Sequence, residues 1–267
     1  MAEAAYERLI SLPMFHGMSD NDVEDVVCAV RKVVMHYANY GSRSREGLMS
    51  TAQETPQLGE WRGEFGREYT IRNCLTPQQV DALWVKNYGV TRTELNRLFL
   101  AGIPTDARIL EIGCNMGNQL LLLQQLGYSN LHGVDVQNHA LEMAKSRTKN
   151  VNLAQASSFA LPYKDKYFDL VFTSGVLIHI SPKNIPAALK EIHRCAKDYI
   201  WGSEYYAPVA SEINYRGHSE LLWKMDYARE YLARFDDLEP MLEQRLPYIG
   251  NQNVDSMFML RRVNATS

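Results

Sequence analysis

The sequence predicts an α/β fold on an open, mostly parallel sheet, and three observations predict it. Ile109-Leu110-Glu111-Ile112 is a short apolar run that carries one acid and breaks at Gly113; a helix then opens at Asn118 with a Leu120-Leu121-Leu122-Leu123 face. Such a run suits a parallel strand buried on both faces. Leu131-His132-Gly133-Val134-Asp135 repeats the pattern and again ends in an acid. Finally, strand-like segments near 107–112, 131–135, 151–156, 168–174 and 198–204 alternate with helical ones, the order that wraps helices around a parallel sheet. Two last strands near 240–248 and 255–262 follow. There are no internal repeats.

Taken in order, residues 1–40 form a helical appendage. An extended Leu9–Met14 piece precedes a helix capped at Ser19, whose Val23, Val26, Val27 and Val30 share one face. Residues 41–58 are polar and aperiodic and read as a linker. Residues 59–106 are an aromatic-rich approach to the core, with helices expected at about 76–86, begun by Thr76-Pro77, and 91–101. Asp135 stands just before a helix over 138–146 and could cap it. Ser181 and Pro182 read as N-cap and first residue of a helix that turns Ile185, Ala188, Leu189, Ile192 and Cys195 to one side.

Composition bounds the function. A chain of 267 residues accommodates one large domain plus an appendage, and 46% hydrophobic residues allow a sizeable core. A net charge of −3 offers no electrostatic footprint for nucleic acid or an anionic membrane. The N-terminus lacks the basic-then-apolar order of a signal peptide, and no apolar run approaches the ~20 residues of a membrane span. Cys28, Cys74, Cys114 and Cys195 match neither zinc spacing nor a disulfide framework. The expectation is a reduced, cytoplasmic enzyme without metal.

The turn after the first strand is shaped for a nucleotide. Gly113 lets backbone approach a ligand, and the next helix offers unpaired N–H groups. A dinucleotide fingerprint fails twice, because Asn115 and Asn118 occupy its second and third glycine positions; a P-loop fails for want of Gly-Lys-Ser/Thr. What remains is Glu111-x-Gly113-x-x-x-Gly117. It resembles the first motif of class I S-adenosylmethionine (SAM)-dependent methyltransferases, with Asn115 at the usual middle glycine; Asn tolerates positive φ. Three further segments extend the resemblance. Asp135 sits where that family holds the ribose diol. Ala156-Ser157-Ser158-Phe159-Ala160-Leu161-Pro162-Tyr163, followed by Tyr167–Phe172, is similar to its adenine-binding stretch, with Ser157 replacing the usual acid and Phe159 able either to stack on adenine or to join the core. Thr173–Pro182 resembles the segment that leaves its fourth strand.

The resemblance implies a Rossmann-like class I methyltransferase fold, with seven strands and an antiparallel final strand in a domain over 59–267. It implies SAM as cofactor, held by Arg72, Glu111, Gly113, Cys114, Asn115, Gly117, Asp135, Val136, Ser157, Ser158, Phe159 and Ser174. The flanks Trp61–Asn73, Glu204-Tyr205-Tyr206, Tyr215–His218 and Trp223–Asp226, together with the core, are similar to methylases associated with pseudaminic acid biosynthesis. Residues Tyr6–Asp20 resemble the tail of PLP-dependent sugar aminotransferases, without their chemistry. Both point to a sugar-like small-molecule substrate, a nonulosonic acid or nucleotide-linked amino sugar, methylated on O or N. Tyr69, Asn73, Tyr206, Tyr215 and Arg216 are the implied substrate contacts, with His179 and then His218 as base; His179 reads equally as a packed strand-end residue. The valine stripe needs cover, from the methyltransferase itself or from a second chain in a homodimer. A non-catalytic partner of a sugar-pathway enzyme and a nicotinamide oxidoreductase are the alternatives.

Overall fold

The computed structural model describes residues 54–263 apart from Arg216 and His218. The appendage with its valine stripe, most of the linker, and those two side chains lie outside the described residues. Among the described residues four helices come first: α1 (Pro56–Arg62), α2 (Glu64–Arg72), α3 (Pro77–Tyr88) and α4 (Arg92–Phe99). Thr76 and Thr91 start α3 and α4 with reciprocal capping boxes to Gln79 and Glu94, which satisfy N-terminal N–H groups that would otherwise go unpaired. Thr55-Pro56 starts α1 with the cap-then-proline order of Thr76-Pro77, inside the stretch read as linker.

The core alternates as expected except between β3 and β4, which no helix separates: β1 (Ile109–Ile112), α5 (Asn118–Gln125), β2 (Leu131–Asp135), α6 (Asn138–Arg147), β3 (Asn152–Gln155), β4 (Phe168–Ser174), α7 (Ile185–Cys195) and β5 (Ala196–Tyr205). A two-strand ladder, β6 (Ser211–Glu212) with β7 (Trp223–Lys224), precedes α8 (Tyr227–Leu232) and the hairpin β8 (Leu238–Pro247) and β9 (Val254–Arg262). The seven-strand order is β3-β2-β1-β4-β5-β9-β8. β1 to β5 pair in parallel, and β9 runs antiparallel between β5 and β8. The strand order reverses beside β1, so the crevice at the carboxyl ends of β1 and β4 is where such a sheet receives a ligand.

Strand alternation assigns the faces. Ile109, Leu170, Phe172 and Trp201 share one apolar cluster with α4 and α5. Leu110, Ile112, Val171 and Ile200 belong to the other, with α7 and α8. By the same parity Glu111, Ser174 and Ser203 belong to the first face, and Thr173 and Glu204 to the second.

One boundary differs from the sequence reading. The apolar stripe of α7 is buried as expected, but Ser181 and Pro182 do not begin the helix. Asn184 N–H donates to the Ser181 carbonyl at 2.8 Å, which closes a turn first. The Ser181 hydroxyl is buried without a partner, so it caps nothing. The helix starts at Ile185 with Pro186 in its first turn, where a missing N–H costs little.

Candidate active site

A cavity of about 290 Å³ opens at the carboxyl ends of β1, β2 and β4, beneath α1–α3. Its floor is the turn after β1. Gly113 (φ +67°) and Asn115 (φ +46°) both occupy the left-handed region. A Cβ on Gly113 would sit 2.5 Å from Val176 Cγ2, so this position has no room for a side chain. The Asn115 side-chain oxygen accepts the Met116 N–H at 2.8 Å and holds the turn. Gly117 (φ +79°) caps α5.

Two carboxylates face this space. Asp135, at the end of β2, accepts the Asn115 and Gln137 N–H groups, both at 2.8 Å. Each oxygen keeps a further lone pair, enough for a pair of vicinal hydroxyls. Burial raises its pKa, against the pull of those N–H groups. Glu111 is 3% exposed and accepts no hydrogen bond from any described residue; its Oε2 is sealed off without a partner. Desolvation pushes its carboxyl well above the usual range, and Arg92 pulls the other way. A buried acid without donors fits a cation arriving from the cavity.

His179 lines the opposite wall, in the short 3₁₀ turn Leu177–His179. Its Nδ1 lies 2.8 Å from the Leu221 carbonyl. A carbonyl only accepts, so Nδ1 carries the hydrogen and Nε2 keeps the lone pair. Burial lowers its pKa to about 4, which leaves the ring neutral at pH 7. Trp61 packs against it at 4.3 Å between ring centroids, and Tyr69 meets Trp61 edge-on at 5.2 Å. The turn itself hangs from Glu204, whose carboxylate accepts the Val176 N–H at 3.0 Å.

Of the residues singled out from sequence, the cavity gathers Tyr69, Asn73, Glu111, Gly113, Cys114, Asn115, Asp135, Val136, Ser158, Ser174 and His179. Others lie off its wall. Arg72 pairs with Glu68 at 3.2 Å on the exposed side of α2. The Ser157 hydroxyl accepts the Phe159 N–H at 3.1 Å within its own loop and does not line the cavity. Phe159 joins the core. Gly117 packs against Thr148 and Ala144. Tyr206 lies under the Arg245 guanidinium at 3.5 Å, and Tyr215 makes ring contacts with His179 and Phe65 at 5.7 and 6.1 Å.

Sequence reading overlooked Trp61, Trp84, Gln119 and Gln137, which also line the cavity. Gln137 Nε2 donates to the Arg62 and Gly63 carbonyls at 2.9 and 3.0 Å, tying the end of α1 to the rim. Its position directly after the Asp135-Val136 pair was the available signal.

Residues 109–199 match the methyltransferase domain family. The matched stretch, about a third of the chain, runs from β1 into the start of β5 and contains both carboxylates and His179. An O-methyltransferase of Aspergillus nomiae is 27% identical over 124 residues, 44% of this chain and 53% of that protein. An uncharacterised protein of Haemophilus influenzae is 26% identical over 102 residues, 36% of this chain and 41% of its own length. The chain thus spans about half the length of these curated relatives. Among solved structures, the fold is similar to that of the Burkholderia thailandensis 1,6-didemethyltoxoflavin-N1-methyltransferase, crystallised with 1,6-didemethyltoxoflavin and S-adenosylhomocysteine. The TM-score is 0.60 at 15% identity, covering 80% of this chain and 93% of that one. The architecture is the Rossmann-like methyltransferase fold. Among the described residues no group of three or more His, Cys, Asp or Glu could hold a metal ion, and no helix is long and apolar enough to cross a membrane.

Proposed function

We propose that the chain is a SAM-dependent methyltransferase acting on O or N of a sugar-like small molecule. The observation that carries the SAM reading is the pair of cavity carboxylates in their two different states. Glu111 lacks donors and suits an α-ammonium group. Asp135 is fixed by two backbone N–H groups and suits a ribose diol. Between them the Gly113 backbone can approach a ligand closely, and Ala156 and Ser158 offer the wall for adenine. SAM supplies an electrophilic methyl group: the acceptor's O or N forms a bond to that carbon while the sulfur–carbon bond breaks.

The residues of this chain then have to align the acceptor, exclude water and take a proton. Trp61 and Tyr69 present aromatic faces that suit the C–H face of a sugar ring, and Asn73 adds polar contacts. His179 Nε2 is the proton acceptor nearest that wall; its low pKa keeps it unprotonated, at the cost of basicity. The flanking resemblance supports a nonulosonic acid or nucleotide-linked amino sugar, and the small-molecule substrate of the Burkholderia enzyme supports that size class. Arg216 would be the partner of a carboxylate or phosphate. We read the chain as cytoplasmic, with the N-terminal valine stripe as the route to a homodimer.

Calorimetry with SAM, S-adenosylhomocysteine and NAD tests the cofactor. Binding of the two sulfur ligands and not of NAD is expected; failure of both would overturn the reading. Asp135→Ala should weaken SAM binding by about 1–3 kcal/mol, because the diol loses its acceptor. Unchanged affinity would remove Asp135 from the ribose role. Labelled SAM with a panel of nucleotide amino sugars and nonulosonates tests the acceptor, and labelled product from none of them would overturn the sugar assignment. SAM binding without transfer to any acceptor would favour the non-catalytic partner.

A further inference from the structure

Arg92 is the least exposed charged residue described, at 0%. It begins α4, yet its guanidinium reaches across four elements. Nε donates to Asn96 Oδ1 at 3.0 Å and to Gln119 Oε1 at 3.1 Å. Nη1 donates to Ser203 Oγ at 2.7 Å, and Nη2 reaches Ser174 Oγ at 3.4 Å. The group is stacked between Trp84 and Trp201, at 4.5 and 5.3 Å from their ring centres. Three of these neighbours, Gln119, Ser174 and Trp84, are themselves walls of the candidate cavity. None of the fork's hydrogen bonds goes to Glu111, although Glu111 is its strongest charge partner.

A charge this deep is costly to bury, and an uncharged residue of similar volume would pack the same space at no electrostatic cost. Its hydrogen bonds do something packing cannot: they fix one side chain on α5 and one on β4 relative to each other. Ser174 shares the Glu111 face of the sheet, α5 with Gln119 packs on that face, and all three residues line the cavity. We propose that Arg92 is a positioning residue of the cavity, which holds the Gln119 and Ser174 walls in place and places a fixed positive charge on the face of the sheet that carries Glu111, as the counter-charge of a carboxylate that receives a ligand ammonium. The ammonium half rests on the SAM reading; the wall-holding half does not.

Two experiments on the full-length chain separate those halves. The first needs no ligand. In a Cys28→Ser/Cys74→Ser background, the remaining thiols are Cys114, buried in the cavity wall, and Cys195, buried at the end of α7 in the other core cluster. Site-resolved labelling by mass spectrometry with a small alkylating reagent compares Arg92 with Arg92→Lys and Arg92→Met. Arg92→Met should speed Cys114 labelling about tenfold, the equivalent of roughly 1.4 kcal/mol in the opening equilibrium, and leave Cys195 unchanged; Arg92→Lys should lie closer to the parent. Unchanged Cys114 labelling, or equal acceleration of both thiols, overturns the proposal, since the second is mere loosening of the fold. Should Arg92→Met fail to fold, Gln119→Met and Ser174→Ala release the same walls while keeping the charge, and must show the same selectivity.

The second experiment measures S-adenosylhomocysteine affinity in a cycle of Arg92→Met and Glu111→Gln. A larger fold-loss from Arg92→Met in the parent than in the Glu111→Gln background is expected. Equal losses in both backgrounds overturn the charge role. If the parent chain binds no S-adenosylhomocysteine, the cofactor reading fails and the charge role fails with it, while the labelling result still decides whether Arg92 holds the walls.

Discussion

At the scale of single residues, the turn after β1 shows how a departure from a motif can be absorbed. Asn115 stands where the resembled motif has glycine, and the structure holds it at φ +46° with its side chain accepting the next N–H. Asn tolerates this region because its short polar side chain can bond locally. Asn115→Gly keeps the permitted backbone and loses one hydrogen bond; Asn115→Ala loses the bond and adds left-handed strain. Thermal or chemical denaturation should therefore rank the parent above the Gly variant and the Gly variant above the Ala variant, with Ala about 1–2 kcal/mol below the parent. An Ala variant as stable as Gly would mean the turn relaxes out of the left-handed region. The residue types of this loop were legible because φ and ligand approach depend on local chemistry. The Ser157 environment was not: whether a hydroxyl faces a cavity or bonds to its own loop depends on a two-residue geometry that no spacing reveals.

At the scale of elements, the turn bearing His179 owes its shape to another strand. Glu204 of β5 is 1% exposed and accepts from the Val176 backbone, with Thr173, Leu177 and Ile178 also favouring its charge. Burial still dominates and raises its pKa to about 7. Between pH 4.5 and 7 the folded chain therefore keeps a proton that the unfolded chain has released. More protons bound when folded means that stability falls as pH rises through this window, by on the order of 3 kcal/mol in total. Asp255, raised by burial to about 6, acts with the same sign over a narrower range. Glu204→Gln retains an acceptor for the Val176 N–H and removes the titration. Denaturation at about pH 5 and about pH 8 should show the parent losing stability between the two and the variant losing markedly less; parallel profiles would exclude Glu204 as the titrating group. The Glu204 role was not readable beforehand, because a strand-end acid looks the same whether it faces solvent, substrate or a buried turn. The reverse holds for α7: its stripe was legible from 3.6-residue spacing, while its start was misplaced because Ser-Pro suits both a helix cap and the tight turn that formed.

At the scale of the whole molecule, what was legible followed periodicity and what was not depended on long-range meeting. The places of the central strands along the chain can be read from their apolar runs, since a parallel strand inside a sheet is buried on both faces. The seven-strand sheet came only with the family resemblance, and apolar runs do not give the order of its strands. The cap over the cavity is different. Trp61 comes from α1 and Trp84 from α3, and a helix's aromatic residues do not announce whether they cover a site or a core; Tyr69 of α2 was singled out beforehand only through the family resemblance. Arg92 was overlooked for a related reason: an arginine in a helix's first turn reads as solvated until the partners on β4, β5 and α5 are in place. These distant contributions nevertheless lie within one compact unit that begins at Gln53, and it contains every described residue lining the cavity. The sheet, the cap and the carboxylates are thus all supplied without residues 1–52. A chain shortened to Gln53–Ser267 should accordingly melt as one cooperative transition and bind S-adenosylhomocysteine with the affinity of the full chain, checked by calorimetry side by side. A loss beyond about tenfold, or 1.4 kcal/mol, would show that the N-terminal segment contributes to the cavity itself, and would move the search for acceptor-binding groups to that segment.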